Sequence, residues 1–304
     1  MRRARAGEEK MSMLTEYPAM QIAPGTYEID EYDNSSMYLL VGTERALLID
    51  TGVGIGRVGE FVEHLCGGLP VDVLLTHSHR DHAGGAFQFS RIYMSALDRR
   101  MESVLRPWTA REYRLQYARH TCAAHPDKNY PWTEEDLPEF PQTAEIVFVE
   151  DGTAFDLGGR KAVCRYCPGH TPDSMAVIDS QTGTLFCGDA CNQVIGLGVR
   201  PIEGIRHATV EEAWLWLRRL AGMDFDKKLV YNGHNDYRAP GGPLEPEILS
   251  HALAAMEGVL SGDHHPRRSR IVSIHADVDV AELYGVALQY HAEAVYGVSG
   301  RFVL

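Results

Sequence analysis

One short stretch of the sequence constrains the fold more than any other. LLTHSHRDHAGG, residues 74–85, places three histidines and an aspartate within six positions. The apolar residues from Val71 to Leu75 predict a short buried strand. Buried imidazoles need partners for their ring nitrogens, so three of them cannot lie inside a packed strand. Where the strand ends and a loop begins, however, the side chains can converge on one point.

The spacing of these four side chains is typical of a metal site. His77 and His79 are two residues apart, so an extended chain projects them to the same side. Asp81 and His82 follow once the chain turns. A polar loop that happens to be rich in histidine is the alternative interpretation. Four potential ligands at this spacing favour metal binding over that alternative.

Length, composition and charge narrow the possible functions. The chain has 304 residues, enough for one large domain or two small ones. Its content of 44% hydrophobic and 23% charged residues is ordinary for a soluble globular enzyme. The formal net charge of −13 argues against a nucleic-acid partner, since phosphate binding requires a basic face. No long apolar run is present, so no membrane span is predicted.

The first residues and the cysteines bear on the compartment. Residues 1–15 include basic side chains but no apolar core of a signal peptide, and they predict a disordered tail. The six cysteines are scattered and do not resemble a disulfide framework. Cys164 and Cys167 form a C-x-x-C, but within a strand-like run and without a second pair. Reduced cysteines predict a cytoplasmic protein.

The rest of the chain is predicted to form a single domain over residues 16–304, because no linker, repeat or low-complexity segment divides it. An arginine-rich helical segment and a proline-punctuated loop predict a helical insertion at about 95–142. SSMYLLVGTERALLIDTG predicts two strands, and SMAVIDS and TLFCGD predict a hairpin. The segment after a predicted helix at 246–260 has a mixed pattern. Strands on both sides of helices predict two sheets packed face to face, with helices outside.

Three more motifs lie at the ends of predicted strands. YCPGHTPDS places His170 after a Pro-Gly turn, LFCGDA ends a strand on Asp189, and LVYNGHND ends another on His234. Each motif is weak alone, because a histidine beside a glycine is commonplace. Together with the first motif they supply five imidazoles and two carboxylates, enough for two metal ions that share one carboxylate. This mixture of nitrogen and hard oxygen ligands favours zinc, then iron or manganese.

The motif order H-x-H-x-D-H, P-G-H-T, G-D and G-H, with LLIDTG before it, resembles the metallo-β-lactamase superfamily of hydrolases. The resemblance runs from about Tyr38 to His234 and implies an α/β fold, a four-layer αββα sandwich with metals at one edge of the two sheets. It implies that Asp50 orients the first loop without binding metal. It also implies the ligands, namely His77, His79 and His170 for the first ion, Asp81, His82 and His234 for the second, and Asp189 as the bridge.

The resemblance further implies a reaction. Two divalent ions, Zn²⁺ before iron or manganese, would generate a bridging hydroxide that attacks a small acyl substrate: a lactone, ester, thioester or amide. Asp81 and Asp189 are the expected catalytic residues. Asp189 matches the broader group of glyoxalase II-like thioesterases and lactonases, whereas relatives that destroy β-lactams often have cysteine there. A mononuclear iron persulfide dioxygenase and a non-catalytic metal-binding sensor stay open as alternatives. The sequence leaves the oligomeric state open.

The region 93–140 contains six tyrosine and tryptophan residues, and its part from Asp98 to Lys128 holds seven basic against four acidic residues. One interpretation is a lid that offers an aromatic wall and a cation to an anionic substrate. The other is an amphipathic helix that packs its aromatics on the core and keeps its arginines in water.

Overall fold

The structure is a computed structural model that describes residues 15–271 and 276–297. The tail predicted for residues 1–15 therefore lies outside the described residues, except for Thr15. The prediction of one domain over residues 16–304 stays a prediction. Among the described residues, no helix has the length and apolar character needed to cross a membrane.

A seven-stranded sheet carries the first histidine motif at the end of its fifth strand. Its first four strands are antiparallel and its last four are parallel. The two strands predicted from SSMYLLVGTERALLIDTG are its third and fourth. In both spatial and chain order the strands are β1 (Ala19–Ala23), β2 (Thr26–Asp30), β3 (Ser36–Val41), β4 (Ala46–Ile49), β5 (Val71–Leu74), β6 (Arg91–Ser95) and β7 (Glu145–Val149).

A second sheet of five strands carries the other three motifs at its strand ends. The predicted hairpin is present, since β10 and β11 pair antiparallel across a short turn. The strands, in chain order, are β8 (Ala154–Asp156), β9 (Lys161–Tyr166), β10 (Met175–Asp179), β11 (Leu185–Phe186) and, after one strand of another sheet, β13 (Val230–Tyr231).

A third sheet of four strands was not predicted. Three of its strands form the segment whose sequence pattern is mixed, because charged residues such as Arg268 and Asp279 pair across its exposed face at 3.0 Å. Its members are β12 (Val194–Gly196), β14 (Arg267–Ile271), β15 (Ala276–Leu283) and β16 (Val286–Tyr290).

Six α-helices cover the sheets of the described chain. The fifth begins at a capping box, in which the Thr209 hydroxyl accepts from the Glu212 amide and the Glu212 carboxylate accepts from the Thr209 amide. Its apolar side packs on the second sheet. The helices are α1 (Val58–Leu65), α2 (Arg80–Ala83), α3 (Met101–Trp108), α4 (Arg111–Ala124), α5 (Val210–Ala221) and α6 (Ile248–Ser261).

The buried residues define the layers. Leu40 and Ile49 of the first sheet meet Val177 and Phe186 of the second in one cluster, which is the core between the sheets. A second cluster joins the outer face of the first sheet to α1, α3 and α4. A third joins the second sheet to α5 and α6. Each fully buried side chain of this size contributes about 1.5–3 kcal/mol. The predicted four-layer αββα sandwich is confirmed, with the third sheet added to it.

The helices between β6 and β7 pack differently from a simple amphipathic helix. The predicted helical segment is two helices, α3 and α4, and Thr109 lies at the break. Arg114 of α4 is fully buried and donates to the carbonyls of Val53 and Gly54, each at 3.2 Å. The interpretation that keeps the arginines in water is therefore wrong for Arg114, because backbone carbonyls satisfy its guanidinium.

Candidate metal centre

Seven side chains with metal-ligating atoms meet where strands of both large sheets end. His77 and His79 lie on the loop after β5, and α2 supplies Asp81 and His82. The other three come from the second sheet and follow β9, β11 and β13 in turn. These three residues are His170, Asp189 and His234. Because strands of both sheets end at the same edge of the sandwich, the structure brings together all seven predicted residues.

Three imidazoles form the first group. The Nδ1 atom of His79 lies 3.1 Å from His77 Nε2 and 2.9 Å from His170 Nε2. The outward nitrogens are held in place, because His170 Nδ1 lies 2.8 Å from the Gly196 carbonyl and His77 Nδ1 lies 3.1 Å from the Thr76 hydroxyl. The inward nitrogens are thus fixed facing a common centre, as three ligands of one cation would be.

Two imidazoles and a carboxylate form the second group. Asp81 Oδ2 lies 3.6 Å from both His82 Nε2 and His234 Nε2. Asp189 stands between the groups: its Oδ1 lies 3.5 Å from His82 Nε2, and its Oδ2 lies 3.3 Å from His234 Nε2 and 3.5 Å from His170 Nε2. One carboxylate therefore reaches ligand atoms of both groups, as the bridging role requires.

Burial and neighbouring charges divide the histidines into two electrostatic classes. Burial, with the other imidazoles, lowers the pKa of His77 and of His79 well below its usual value, so both are neutral and able to bind a metal. Burial also acts on His82, but the carboxylates of Asp189 and Asp81 outweigh it and raise that pKa. Conversely, His234 and His82 overcome the effect of burial on Asp189 and hold its pKa well below the usual range.

Two orphaned atoms test whether a cation fits. His82 Nε2 and Asp189 Oδ1 are both buried, and among the described residues neither has a hydrogen-bond partner. They face each other at 3.5 Å. A buried polar atom without a partner is costly, and a cation between the two would satisfy both. Five imidazoles and two carboxylates are a donor set that suits zinc, iron or manganese.

Asp50 lies behind the site rather than in it. The residue directly follows β4 with a left-handed φ of 62°, which places its carboxylate under the first motif. Its Oδ1 accepts from the Thr76 amide at 2.6 Å, and its Oδ2 accepts from the Thr76 hydroxyl at 2.7 Å. The same Oδ2 lies 2.9 Å from His82 Nδ1. These contacts fix the ring whose other nitrogen faces Asp189.

Gly233 is a residue that the sequence analysis did not single out. A Cβ at this position would lie 2.3 Å from His82 Cε1 and 2.8 Å from Asp189 Oδ1. No larger residue fits without displacing one of these two side chains. The G-H dipeptide is the sequence signal that could have identified Gly233, since the glycine lets His234 approach the other ligands closely.

Glu31, also missed, anchors the loop that follows Asp50. Its carboxylate accepts from the amides of Gly54 and Ile55 at 2.8 Å each, and from the amide of Val53. Burial raises the pKa of Glu31 to about 8, although the three amides act in the opposite direction. No sequence signal pointed to this role, because the partners are backbone amides of a loop more than 20 residues away.

A cavity of about 270 Å³ opens onto five of the seven residues, all but His77 and His82. Of the six tyrosine and tryptophan residues between 93 and 140, the structure places Trp108 and Tyr117 in its wall. The third sheet supplies Ile271 and Gln289. The cations in the wall, Arg80 and Arg200, come from outside the segment in which the sequence suggested one.

The cysteines remain unpaired thiols, and all six lie in the described part of the chain. Cys191, two residues after Asp189, is fully buried, and the Cys187 thiol donates to its carbonyl at 3.5 Å. Burial raises the pKa of both thiols, which keeps them protonated. They are packing residues beside the site.

Comparison with known proteins supports a single family. The family model described as "Metallo-beta-lactamase superfamily" matches residues 31–234. The chain is 26% identical to a human (Homo sapiens) acyl-coenzyme A thioesterase over 216 residues, which are 59% of this chain and 68% of that protein. It is 29% identical over 184 residues to an atrochrysone carboxyl ACP thioesterase of Aspergillus novofumigatus, which covers 59% of this chain and less than half, 44%, of that protein.

Solved structures share the fold. A beta-lactamase domain protein from Burkholderia ambifaria superposes with a TM-score of 0.53 at 20% sequence identity, covering 84% of this chain and 79% of that one. At this level of identity the likeness concerns the fold alone.

Proposed function

Because the chain belongs to the metallo-beta-lactamase superfamily, we propose that it is a hydrolase that uses two divalent metal ions, zinc first, to cleave acyl substrates, with thioesters as the leading class. Membership of the family and the hydrolases among its relatives support metal-dependent hydrolysis in general. Thioesters come first because two of the relatives bear the name thioesterase.

The proposed ligand roles follow the two groups of side chains. The first ion would be held by the three imidazoles of His77, His79 and His170. The second would be held by Asp81, His82 and His234, with Asp189 bridging. The observation that carries the proposal is the facing pair of orphaned atoms on His82 and Asp189, because a single cation in the first group would leave both unsatisfied.

When bound, such ions lower the pKa of water towards neutrality and polarise a carbonyl oxygen. The protein positions the groups around that chemistry. Asp81 lies beside the Tyr117 hydroxyl and is placed to pass a proton to the leaving group. The Asp189 carboxylate lies between the two ligand groups and fixes their relative position. The indole of Trp108, 5.2 Å from the His79 ring, shields the cavity side of the first group from water.

The two alternative functions make different demands on the site. A mononuclear iron dioxygenase uses one group of ligands, and a sensor needs no cavity beside the metals. The second complete ligand group and the open cavity that adjoins it favour the binuclear hydrolase. A cytoplasmic location is part of the proposal.

The test is metal analysis of freshly purified protein followed by turnover assays. We expect about two zinc ions per chain and hydrolysis of acetyl or butyryl thioesters that stops when a chelator removes the metal and returns when zinc is restored. Esters, lactones, β-lactams and phosphodiesters are measured in parallel. One tightly bound iron, oxygen consumption and no hydrolysis would establish the dioxygenase instead.

A further inference from the structure

Two arginines in the cavity wall lie over aromatic rings and have no anionic partner among the described residues. The guanidinium of Arg80 lies over the ring of Tyr117, 5.5 Å from its centroid, and that of Arg200 lies over Trp108 at 5.7 Å. Within residues 15–271 and 276–297, neither guanidinium donates a hydrogen bond or forms an ion pair. Within that part of the chain, each guanidinium contacts an aromatic face instead.

The other arginines of the described chain show how unusual this is. All but one of them donate to a carbonyl or lie within 4.0 Å of a carboxylate, as Arg114 and Arg160 do from buried positions. The exception is Arg218, which lies over Trp214 and is exposed to solvent on the outer side of α5. Arg80, in contrast, is only 9% exposed. A guanidinium that has lost most of its water and has no anion beside it carries a desolvation cost that a ligand can offset.

The charges around the cavity point to the sign of that ligand. Apart from the seven converging side chains, the charged residues of the wall are Arg80, Arg200 and Asp236, a local excess of one positive charge. The two arginines are close enough that burial and then the charge of Arg80 lower the pKa of Arg200, with Asp81 acting in the opposite direction. Like charges held together in a half-buried wall favour an anion between them.

The position of the pair fixes where the anion would lie. Arg80 lies between the ligand-type residues His79 and Asp81 in the sequence, and the Trp108 indole that Arg200 contacts is itself 5.2 Å from the His79 ring. The cavity of about 270 Å³ leaves room for only a short segment of substrate. We propose that Arg80 and Arg200 form an anion subsite that selects acyl substrates carrying a carboxylate or phosphate a few bonds from the scissile carbonyl.

This inference rests on the proposed function, and the experiment separates the two. The substrates are glutaryl and glutaramoyl thioesters of N-acetylcysteamine, which differ only in carboxylate against amide on the acyl side. A second pair, acetyl thioesters of 3-mercaptopropionate and 3-mercaptopropionamide, places the same difference on the leaving group. The zinc-loaded full chain is compared with Arg80→Gln, Arg200→Gln and the matched control Arg218→Gln, another arginine stacked on tryptophan.

We expect kcat/KM to favour the anionic member of one pair by about 10- to 100-fold, the range that a charge-assisted hydrogen bond gives. The pair that shows the preference identifies which side of the substrate carries the anion. Arg80→Gln and Arg200→Gln should each reduce the preference to within about threefold, while Arg218→Gln keeps it. Equal rates for both members of both pairs, with turnover intact, would overturn the anion subsite and leave the hydrolase standing.

Calorimetry provides a readout that needs no turnover. Glutarate has one carboxylate for the metals and a second for the arginines, whereas glutaramate has only the first. Glutarate should bind about tenfold more tightly to the zinc-loaded protein, and Arg200→Gln should abolish the difference. If this difference is found but no thioester is cleaved, the proposed function fails and the anion subsite stands. If glutarate and glutaramate bind alike, the subsite is refuted whatever the protein hydrolyses.

Discussion

Asp50 Oδ2 lies 2.9 Å from the Nδ1 atom of His82, and the opposite nitrogen of the same ring faces Asp189. One buried carboxylate therefore fixes both the tautomer and the orientation of an imidazole at the centre of the site, while its other oxygen accepts from the Thr76 amide.

Asp50→Asn tests this arrangement. Asparagine tolerates the left-handed φ of 62°, so the backbone is preserved while one acceptor oxygen becomes a donor. We expect zinc affinity to fall by about 10- to 100-fold, as for other partners of ligating histidines. Competition with a chelating dye measures the affinity. Asp179→Asn, which removes a carboxylate from the buried pair with Arg160, is the control and should lower stability but not zinc affinity.

Gly233→Ala should damage the site through a single methyl group. The added Cβ would lie 2.3 Å from His82 Cε1, and His82 cannot yield freely because Asp50 holds it. We expect zinc content to drop, with a loss of about 1–3 kcal/mol in the free energy of unfolding from overpacking. Gly222→Ala, where the nearest atom is 3.5 Å away, is the matched control. Normal zinc content in Gly233→Ala would contradict the steric account.

The number of ions can be read from two ligand variants. Asp189→Ala removes the carboxylate between the groups and should lower metal occupancy at both, abolishing turnover. His234→Ala should empty mainly one position, leaving about one zinc per chain. Elemental analysis after dialysis gives both numbers, and Asp224→Ala on the exposed surface controls for loss of an acidic charge. A wild-type protein with a single ion would refute the bridging role.

Glu31 should make stability depend on pH. Its folded pKa is raised to about 8, whereas an unfolded glutamate titrates near about 4.3. Between these pH values the folded state keeps a proton on Glu31 that the unfolded state has released. The contribution of protonated Glu31 to the free energy of unfolding is therefore complete below about pH 4.3 and is lost as pH rises through about 8. Urea unfolding of wild type and Glu31→Gln should show a difference in free energy that shrinks between about pH 5 and 8.

A control separates this titration from general charge effects. Glu63→Gln removes a carboxylate from the exposed side of α1 and should run parallel to wild type across the same pH range. If the difference between wild type and Glu31→Gln stays constant with pH, Glu31 does not titrate in this interval.

The convergence of the seven side chains was predictable because four of them lie within one short motif and the other three each follow a strand. A strand end is a local signal, and strand ends of packed sheets share an edge. Asp50 could be found in the same way. The sequence therefore predicted the side chains whose location depends on their position along a strand.

The contacts that escaped prediction depend on distant backbone. Arg114 sits in an arginine-rich helix like its neighbours, and only the carbonyls of Val53 and Gly54 make it a buried residue. Glu31 anchors a loop because three backbone amides of that loop donate to its carboxylate. Arg200 lines the cavity with its guanidinium over Trp108, a residue about 90 positions earlier in the chain. No sequence periodicity predicts these contacts, because each is created by the packing of elements far apart in sequence.

Part of the cavity wall lies outside the segment that the family model matches. Ile271 and Gln289 line the space beside the site, yet both lie beyond residues 31–234. These two wall residues and the side chains that converge at the cavity floor are thus carried by different stretches of the chain. Natural variation or directed evolution confined to β14 and β16 can change what enters the cavity while every side chain that converges at its floor stays as it is.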